Sequence, residues 1–434
     1  MTPQIYIGLY YRATLPSCHR LWKLTDMERI SPASPAFRRT NRALFFGGFS
    51  CFALLYCVQP LMPLLAHQFA LTPAQSSLSL SVSTGALAVS LLLSSIVSDR
   101  IGRKGLMITA LFLAAIMTLV CALARNYPQL LVARALLGLG LGGMPAVAMA
   151  YLSEEIEPES LGLSMGLYIS GSAFGGMLGR VVTSTLSDVF SWRVALAAVG
   201  MAGLYAAWEF WRSLPASRNF RPAQGGLAGM AAGLRRHLSD DGLPWLFALA
   251  FLLMGCFVSA YNFIGFRLLG EPFSLRQGLV GGISFLYLLG IYSSVWAGRL
   301  ADRLGRRKVL WATMSAMLAG LLLTLADNVA AIVAGMALFT FSFFASHSMA
   351  SSWVGRRARA PQALASALYL FFYYLGSSVV GWLCGVLWAH GGWPGVVALL
   401  AGLLATGLLV ALRLRNLAPL EPAKTLRKLE PAQA

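Results

Sequence analysis

The stretch Asp99-Arg100-Ile101-Gly102-Arg103-Lys104 lies between two long apolar runs, and it recurs 203 residues later as Asp302-Arg303-Leu304-Gly305-Arg306-Arg307. Trp192 recurs as Trp393 at nearly the same offset. The chain therefore contains two copies of one unit. A parallel repeat of this kind predicts two related helix bundles with a substrate cavity between them.

The composition indicates a membrane protein. Of the 434 residues, 57% are hydrophobic and only 12% are charged, whereas soluble domains have about 25% charged residues. So few charges would leave wide apolar patches on a globular surface. A lipid-facing surface, in contrast, is itself apolar.

Twelve apolar runs approach the length of about 20 residues that a helix needs to cross a bilayer. The runs lie near 43–67, 75–98, 105–124, 129–151, 161–187, 193–213, 243–268, 275–297, 309–326, 329–354, 363–389 and 394–413. They predict an all-α membrane protein with 12 transmembrane helices in two six-helix bundles. The predicted segments are a cytoplasmic N-terminal extension (1–42), an N-terminal bundle (43–213), a cytoplasmic central loop (214–242), a C-terminal bundle (243–413) and a cytoplasmic tail (414–434).

Basic residues predict the orientation, because cytoplasmic loops are enriched in Lys and Arg. With the N-terminus in the cytoplasm, 28 of the 34 Lys and Arg residues lie in cytoplasmic segments. Only Arg125, Arg193, Arg267 and Arg276 lie in external loops. Both termini are therefore expected in the cytoplasm. This distribution also explains the net charge of +18 without nucleic acid, because anionic lipid headgroups attract the basic face.

Sequence signals for catalysis and metal binding are missing. The six cysteines are scattered and form no CxxC pair, which is typical of small packed residues. The run Gly138–Gly143 is apolar on both sides and lies in a predicted membrane span, without the preceding strand of a soluble domain that a nucleotide-binding loop requires. We therefore expect no metal, no cofactor and no enzymatic activity.

The repeated loop has the form GxxxDRxGRR and resembles the signature of the major facilitator superfamily. The second copy fits it from Gly298 onward, whereas the first has Ser95 at the leading glycine. The segments 56–60 and 151–156 look like those of the YnfM-type inner-membrane transporters, which resemble the drug:proton antiporter and sugar-efflux branch. The resemblance implies a monomeric inner-membrane transporter of a small molecule, with proton-coupled efflux as its activity.

The resemblance also implies that the two loops form a gating motif. Asp99 is expected to face the positive end of another helix. Arg103, one helical turn later, is expected to pair with Glu154 or Glu155 after the fourth span. In the family such contacts hold the outward-facing state and break when the cytoplasmic side opens. The alternative is a solvated basic loop without a gating contact.

Arg134 and Arg180 fall inside spans, where an unpaired charge costs at least a few kcal/mol on insertion scales. Arg134 matches the membrane arginine of the family, or it reaches the nearby boundary with its long side chain. Arg180 is either neutralised by Asp188 or attracts an anionic group of the substrate. None of the 16 acidic residues falls at mid-depth. The coupling candidates are therefore Arg134, Arg180 and His347, with the glutamates of the gating motif as a further option.

The fifth span contains glycines at helical spacing. Gly171, Gly175 and Gly179 are four residues apart and Gly162 precedes them, so we expect a flat ridge against which another helix packs closely. In drug exporters the corresponding stretch reads GxxxGPxxGG. Here Gly176 replaces the proline, which leaves the antiport role of the stretch open.

Polar and aromatic residues at equivalent positions of the two halves predict the substrate cavity. Gln59 matches Asn262 at the 203-residue offset. The cavity candidates are Tyr56, Gln59, Tyr168, Tyr261, Asn262, Tyr369 and Tyr373. Rings and amides with few charges suit a moderately apolar or neutral polar molecule. The alternative for any single tyrosine is side-chain packing.

Three other functions are compatible with the sequence. One is uptake or exchange of a small polar solute on the same fold. A transport-inactive receptor or scaffold would bind without flux. A passive channel would give flux without saturation or coupling.

Overall fold

The computed structural model describes residues 29–220, 226–358, 362–415 and 417. Most of them are helical. The α-helices are α1 (Pro35–Tyr56), α2 (Met62–Gln68), α3 (Pro73–Ile101), α4 (Arg103–Leu123), α5 (Tyr127–Leu141), α6 (Pro145–Glu155), α7 (Pro158–Val189), α8 (Trp192–Ser213), α9 (Gly226–Leu238), α10 (Leu243–Leu269), α11 (Gln277–Gly281), α12 (Tyr287–Leu304), α13 (Arg306–Leu323), α14 (Val329–Arg357) and α15 (Gln362–Arg415). Short 3₁₀ turns precede α2 and α12.

Each of the twelve predicted apolar runs lies mostly within these helices. Within the described ranges, ten helical segments are long and apolar enough to cross a membrane. The tenth is α15, whose 54 residues would span about 80 Å as one straight helix, far more than the hydrocarbon core of about 30 Å. Gly392 interrupts it with φ 53° and ψ −145°, between the last two predicted runs. Helix α13 is not among the ten because it begins with three basic residues.

Side-chain caps at the helix starts explain several boundaries. Ser34, Thr72, Asn126, Ser191 and Asn328 each accept a hydrogen bond from a backbone N–H in the first turn of the helix that follows. A capping side chain satisfies one of the N–H groups that a helix start leaves without a partner. These boundaries are therefore encoded locally.

The two repeated loops have the same backbone geometry. Gly102 ends α3 with φ 79° and ψ 157°, and Gly305 ends α12 with φ 84° and ψ 140°. A positive φ favours glycine, which has no Cβ to clash with the backbone. Six of the ten membrane-length segments lie between the loops, and six crossings return the chain to its starting side. We call the membrane side of these loops the motif side and the opposite side the far side.

The glycine ridge of α7 packs directly on α1. A Cβ atom on Gly171 would lie 2.3 Å from the carbonyl oxygen of Phe45, and one on Gly175 would lie 2.0 Å from that of Phe49. A Cβ atom on Gly179 would lie 2.8 Å from the Cα of Ala53. The backbones of α7 and α1 therefore touch along two turns.

The prediction for Gly162 was wrong. No atom of the described residues lies within 4 Å of the Cβ position at this residue. Gly162 is in the first two turns of α7, before the helix reaches α1, so a methyl group there meets no neighbouring helix in the described structure. Of the four glycines, the first in close contact with α1 is Gly171.

Large apolar side chains cover the outside of the molecule, as expected for a lipid-facing surface. Leu123, Leu163, Val189, Tyr205 and Leu409 are each at least 60% exposed. Smaller residues lie in the interior, where α3 of one half meets α15 of the other. A Cβ atom on Gly85 would lie 3.0 Å from Ser378 Oγ, and one on Gly385 would lie 2.4 Å from the Cα of Ala74. The two halves thus approach each other through small residues.

Candidate functional site

A buried arginine lies where the two halves meet. Arg180 is only 3% exposed, although it is in the middle of the apolar helix α7. Its Nε–H donates a short hydrogen bond to Gln59 Oε1, and Nη1 donates to the carbonyl of Gly176 at 2.5 Å. The guanidinium also lies over the rings of Tyr56, at 4.3 Å, and Tyr287, at 4.8 Å. Arg180 is therefore surrounded by neutral groups.

The expected neutralisation of Arg180 by Asp188 is contradicted. Asp188 lies two turns further along α7 and forms an ion pair with Arg276 of the other half at 3.6 Å. Among the described residues, no carboxylate is within ion-pair distance of Arg180. Asp188 follows Arg180 by eight residues, which places the two charges about 12 Å apart along the helix.

Gln59 and Asn262, which the repeat places at equivalent positions, touch each other across the two halves. Gln59 Nε2 donates to Asn262 Oδ1 at 2.6 Å and to the carbonyl of Val258 at 3.2 Å. Both amides are at most 2% exposed. The pair continues the hydrogen bond from Arg180, so one polar chain runs from α7 through Gln59 to α10.

Further contacts join described residues of the two halves. These hydrogen bonds and one ion pair lie at mid-depth or on the far side. Gln277 Nε2 donates to the carbonyl of Pro60 at 2.6 Å, and Ser184 Oγ donates to the carbonyl of Gln277 at 2.5 Å. Near mid-depth, Ser378 Oγ donates to the carbonyl of Ser81 at 2.7 Å. The far side is therefore closed by direct contacts.

A small cavity borders this contact on the far side of Arg180. Its volume is about 30 Å³, and its walls include Gln59, Arg180, Tyr261 and Asn262. A space of that size holds one or two water molecules, whereas ligand pockets are about 300–1,000 Å³. It is a remnant between closed halves and is too small for an organic substrate.

Of the other aromatic candidates, Tyr369 and Tyr373 lie on the motif side of Arg180, whereas Tyr261 borders the small cavity. Tyr369 Oη is 2.9 Å from His347 Nδ1, and the His347 ring is 4.8 Å from the ring of Tyr373. Tyr261 Oη is 2.8 Å from the hydroxyl of Thr340. These rings belong to a single aromatic cluster that includes Tyr287. The sequence suggested these tyrosines as a group of cavity candidates but did not predict their individual contacts.

Tyr168 lies apart from Arg180, three turns towards the motif side in α7. A Cβ atom on Gly48 of α1 would lie 3.1 Å from its ring. Its hydroxyl is buried and has no hydrogen-bond partner among the described residues. Tyr168 therefore packs against α1, with a polar atom that remains unsatisfied.

Arg134 is the second buried arginine, and it does not reach the membrane boundary. It is 1% exposed. Its Nε donates to the carbonyl of Ser79 at 2.8 Å, Nη1 to that of Leu54 at 3.1 Å and Nη2 to that of Leu55 at 2.5 Å. The side chain therefore holds α1, α3 and α5 together within one half.

In the first copy of the gating motif, Arg103 pairs with Glu154 and not with Glu155. Arg103 Nη2 lies 2.8 Å from Glu154 Oε1, and Nε lies 3.2 Å from Oε2. Arg103 also lies over the ring of Phe220 at 4.8 Å. Both partners of this bidentate pair belong to the N-terminal half, so it holds α4 to the end of α6 while the far side is closed.

Glu155 binds the start of the central loop instead. Its Oε1 accepts hydrogen bonds from Ser217 Oγ, Arg218 N and Asn219 N at 2.7–2.8 Å. Lys104 Nζ donates to the carbonyl of Leu214 at 2.5 Å. The loop that joins the halves is thus fixed to the motif side of the N-terminal half.

The other end of the central loop is held by the C-terminal half. Asp240 Oδ1 forms an ion pair with Arg357 Nε at 2.5 Å and accepts hydrogen bonds from Gly242 N and Leu243 N at 2.8 Å. Burial acts to raise the pKa of Asp240, but the hydrogen bonds from Arg357 and from these two backbone groups outweigh it and hold the pKa below its usual value. Arg357 stands where the repeat offset places the equivalent of Glu154. The second half therefore lacks the acidic partner of the first.

The remaining residues of the gating motif are only partly described. Asp99, Arg100 and Asp302 lie in α3 and α12, but their side chains are outside the described part of the structure. Arg303 is exposed, and Arg307 Nη2 donates to the carbonyl of Leu417 at 2.5 Å. Arg306 begins α13, directly after Gly305.

Several residues of the site were not found from the sequence. Tyr287 contacts Arg180, and Gln277 and Ser184 close the far side. The repeat gives no signal for Tyr287, because the equivalent position holds Thr84. Among the described residues, no cluster of His, Cys, Asp and Glu is arranged to hold a metal ion.

Comparison with known proteins assigns the family. The model described as Major Facilitator Superfamily matches residues 44–379 and 268–433. The chain is 50% identical over 387 residues to the inner membrane transport protein YnfM of Escherichia coli (strain K12), covering 89% of this chain and 93% of that protein. It is 45% identical over 386 residues to the MFS-type transporter YybF of Bacillus subtilis (strain 168), covering 89% and 95%.

Solved structures show the same fold at low sequence identity. The nucleoside transporter NupG matches with a TM-score of 0.73 and 14% identity, over 86% of this chain and 99% of that one. A bacterial homolog of the human lysosomal transporter Spinster, in an inward-facing and unoccupied conformation, matches with a TM-score of 0.67 and 15% identity, over 88% and 95%. Its relatives are named as transporters and not as enzymes. Because the family model and these relatives cover most of its length, this chain belongs to the major facilitator superfamily and is a multi-pass transport protein of the inner membrane.

Proposed function

We propose that this protein is a monomeric secondary active transporter that moves a small molecule across the inner membrane by alternating access. In this proposal the chain crosses the membrane twelve times, with α13 as one span and α15 divided at Gly392 into two. The motif side is the cytoplasmic side, because most Lys and Arg residues lie there. Both termini are then cytoplasmic.

The observation that carries the proposal is the closed far side. The contact between Gln59 and Asn262 joins equivalent positions of the two halves, and Gln277 and Ser184 join the halves beyond it. Alternating access requires such contacts to form on one side of a central site and to break when the other side closes. Small residues such as Gly85 and Gly385 allow the close approach.

We further propose that transport is export driven by the proton gradient, with His347 as the proton carrier. Acidic residues supply the proton site in many transporters, but the described acids lie near helix ends and in loops. His347 is buried in the aromatic cluster, next to Tyr369. Histidine is the side chain whose ordinary pKa lies closest to neutral pH. The bidentate pair of Arg103 and Glu154 would keep the motif side of the N-terminal half rigid during the movement.

Uptake or exchange on the same fold is the second candidate, since the contacts at the far side serve transport in either direction. A test without a known substrate uses purified protein in liposomes that contain a pH-sensitive dye, under an imposed pH gradient. A panel of small organic compounds is added one at a time. Coupled export predicts that some compounds speed the collapse of the gradient, with a rate that saturates.

The variant His347→Gln supplies the control for coupling. It should abolish compound-driven proton movement and reduce exchange of a labelled compound much less. Binding without any flux would instead support a receptor, and flux that does not saturate would support a channel. Flux that an uncoupler does not change would contradict proton coupling and favour facilitated movement.

A further inference from the structure

We propose that Arg180 binds the negatively charged group of the transported molecule, and that this molecule is a small organic anion with a planar apolar body. The inference rests on the proposed transport function and adds the chemical class of the substrate. The sequence alone is also compatible with a neutral substrate, but a neutral compound would supply no counter-charge to Arg180.

The electrostatic environment of Arg180 is the first observation. A buried guanidinium without a carboxylate loses the solvation of water and gains only the interaction with neutral dipoles and ring faces. Its partners are Gln59, Gly176, Tyr56 and Tyr287. A bound anion would supply the missing charge and would be held by charge-assisted hydrogen bonds, which are stronger than neutral ones.

Unused hydrogen-bond donors are the second observation. Arg180 donates from Nε to Gln59 and from Nη1 to Gly176, and the Tyr287 hydroxyl is a further hydrogen-bond neighbour of the guanidinium. These partners use three of its five N–H groups, so two remain for another partner. Tyr56 Oη and Asn262 Nδ2 are both buried without any partner in the described part of the chain. Such buried polar groups are normally satisfied. Here the unsatisfied groups belong to Tyr56, which packs against Arg180, and to Asn262, which accepts a hydrogen bond from Gln59.

The shape of the surroundings points to the body of the ligand. The cavity on the far side of Arg180 is only about 30 Å³. On the motif side, in contrast, lie the rings of Tyr287, Phe343, His347 and Tyr373. Aromatic rings favour stacked or edge-on contacts with another planar ring. The anionic group is therefore expected at Arg180 and the apolar body towards the cytoplasm.

The hydrogen bond between Arg180 and Gln59 connects binding of the anion to opening of the far side. Arg180 Nε–H donates to Gln59 Oε1, while Gln59 Nε2 donates to Asn262. An anion on the guanidinium competes with Gln59 Oε1 and frees the Gln59 amide to turn. The contact between Gln59 and Asn262 then weakens, and the far side opens more readily. Binding from the cytoplasm would thus favour release on the opposite side.

The binding test uses three probes with one ring and different charges: benzoate, benzamide and benzylamine. Purified full-length protein in detergent is titrated with each, and binding is followed by tryptophan fluorescence. We expect benzoate to bind at least about tenfold more tightly than the other two, because a hydrogen bond to a charged group is worth that factor or more. Arg180→Gln should remove the preference, and Arg180→Lys should retain part of it.

The variant Arg125→Gln is the matched control, since it removes the same charge from an exposed loop position. It should bind benzoate like the unmodified protein. Equal binding of benzoate and benzamide, binding of none of the three probes, or an unchanged preference in Arg180→Gln would each overturn the inference. Saturable transport of neutral compounds only would overturn it while leaving the proposed function intact.

A second measurement tests the connection to opening. A cysteine introduced as Ser187→Cys, near the far end of α7, is labelled from the far side with a charged thiol reagent. Benzoate should increase the labelling rate in the protein with Arg180 and have no effect in the Arg180→Gln background. A rate that benzoate leaves unchanged in both would contradict the competition between the anion and Gln59.

Discussion

Arg134 and Arg180 are both buried arginines of the N-terminal half, but their environments differ. Arg134 donates to three backbone carbonyls, those of Leu54, Leu55 and Ser79. Arg180 has one amide oxygen, one carbonyl and the faces of two rings. The difference shows that burial of a charge alone does not identify a functional arginine. The partners decide whether the charge is already satisfied.

The geometry of α1 explains why the site of Arg134 is complete. Helix α1 ends at Tyr56, and the chain continues through a 3₁₀ turn that contains Pro60. The carbonyls of the last helical turn lack the N–H partners of a continuing helix. The fork of a guanidinium can reach several of them at once, and the negative end of the helix dipole favours a cation. Arg134 therefore acts as a cap on α1.

The largest effect on stability is expected for Arg134→Met. This change keeps an unbranched apolar stem but removes the charged donor from three buried carbonyls, those of Leu54, Leu55 and Ser79. Leu54 keeps a contact with Cys57 Sγ and Ser79 lies inside α3, but each hydrogen bond to a charged group is worth about 1.5–3 kcal/mol. We expect the free energy of unfolding to fall by about 3 kcal/mol or more, measured by denaturation in mixed detergent micelles. The stability of Arg134→Lys should lie between those of the unmodified protein and Arg134→Met, because one ammonium group cannot reach all three carbonyls.

A variant Arg134→Met as stable as the unmodified protein would show that the carbonyls find other partners. The two arginines would then differ less than their contacts suggest. Loss of benzoate binding in a well-folded Arg134→Met protein would also weaken the distinction, since it would assign a binding role to both.

A medium effect is expected for Gly175→Ala, which changes the contact that positions both arginines. Helix α7 carries Arg180, and α1 carries two of the three carbonyls that bind Arg134. A Cβ atom at position 175 would lie 2.0 Å from the carbonyl oxygen of Phe49, so the helices must separate. Overpacking of this kind costs about 1–3 kcal/mol, measurable in the same unfolding assay.

Gly162→Ala is the matched control for this change. At position 162 the same methyl group meets no described atom within 4 Å, so the gain in helix propensity of about 0.5–1 kcal/mol should appear instead. Equal losses in both variants would mean that helix packing is not the reason for the glycines. Equal gains would mean that α7 and α1 can separate freely.

Much of the fold was predictable from the sequence because its signals are local. Apolar runs and the repeated loop predicted the helices, and the offset of 203 residues paired Gln59 with Asn262. The sequence could not show that these two amides touch, because an offset gives equivalence and not distance. It also left Asp188 as a partner of Arg180 because spacing along one helix does not reveal Arg276 on another. The choice between Glu154 and Glu155 depended on the central loop, whose path no local pattern encodes.

The smallest effect on stability is expected for Arg180→Met, and it separates the two arginines most clearly. The substitution removes a cation that has no counter-charge among the described residues and replaces it with an apolar side chain of similar length. Replacing a poorly compensated buried charge in this way is often neutral or stabilising, and here two hydrogen bonds are lost in exchange. The free energy of unfolding should therefore change by less than about 1 kcal/mol, while the preference for benzoate disappears. If Arg180→Met instead loses as much stability as Arg134→Met, the neutral partners of Arg180 already satisfy its charge, and the molecule needs no anion at this position.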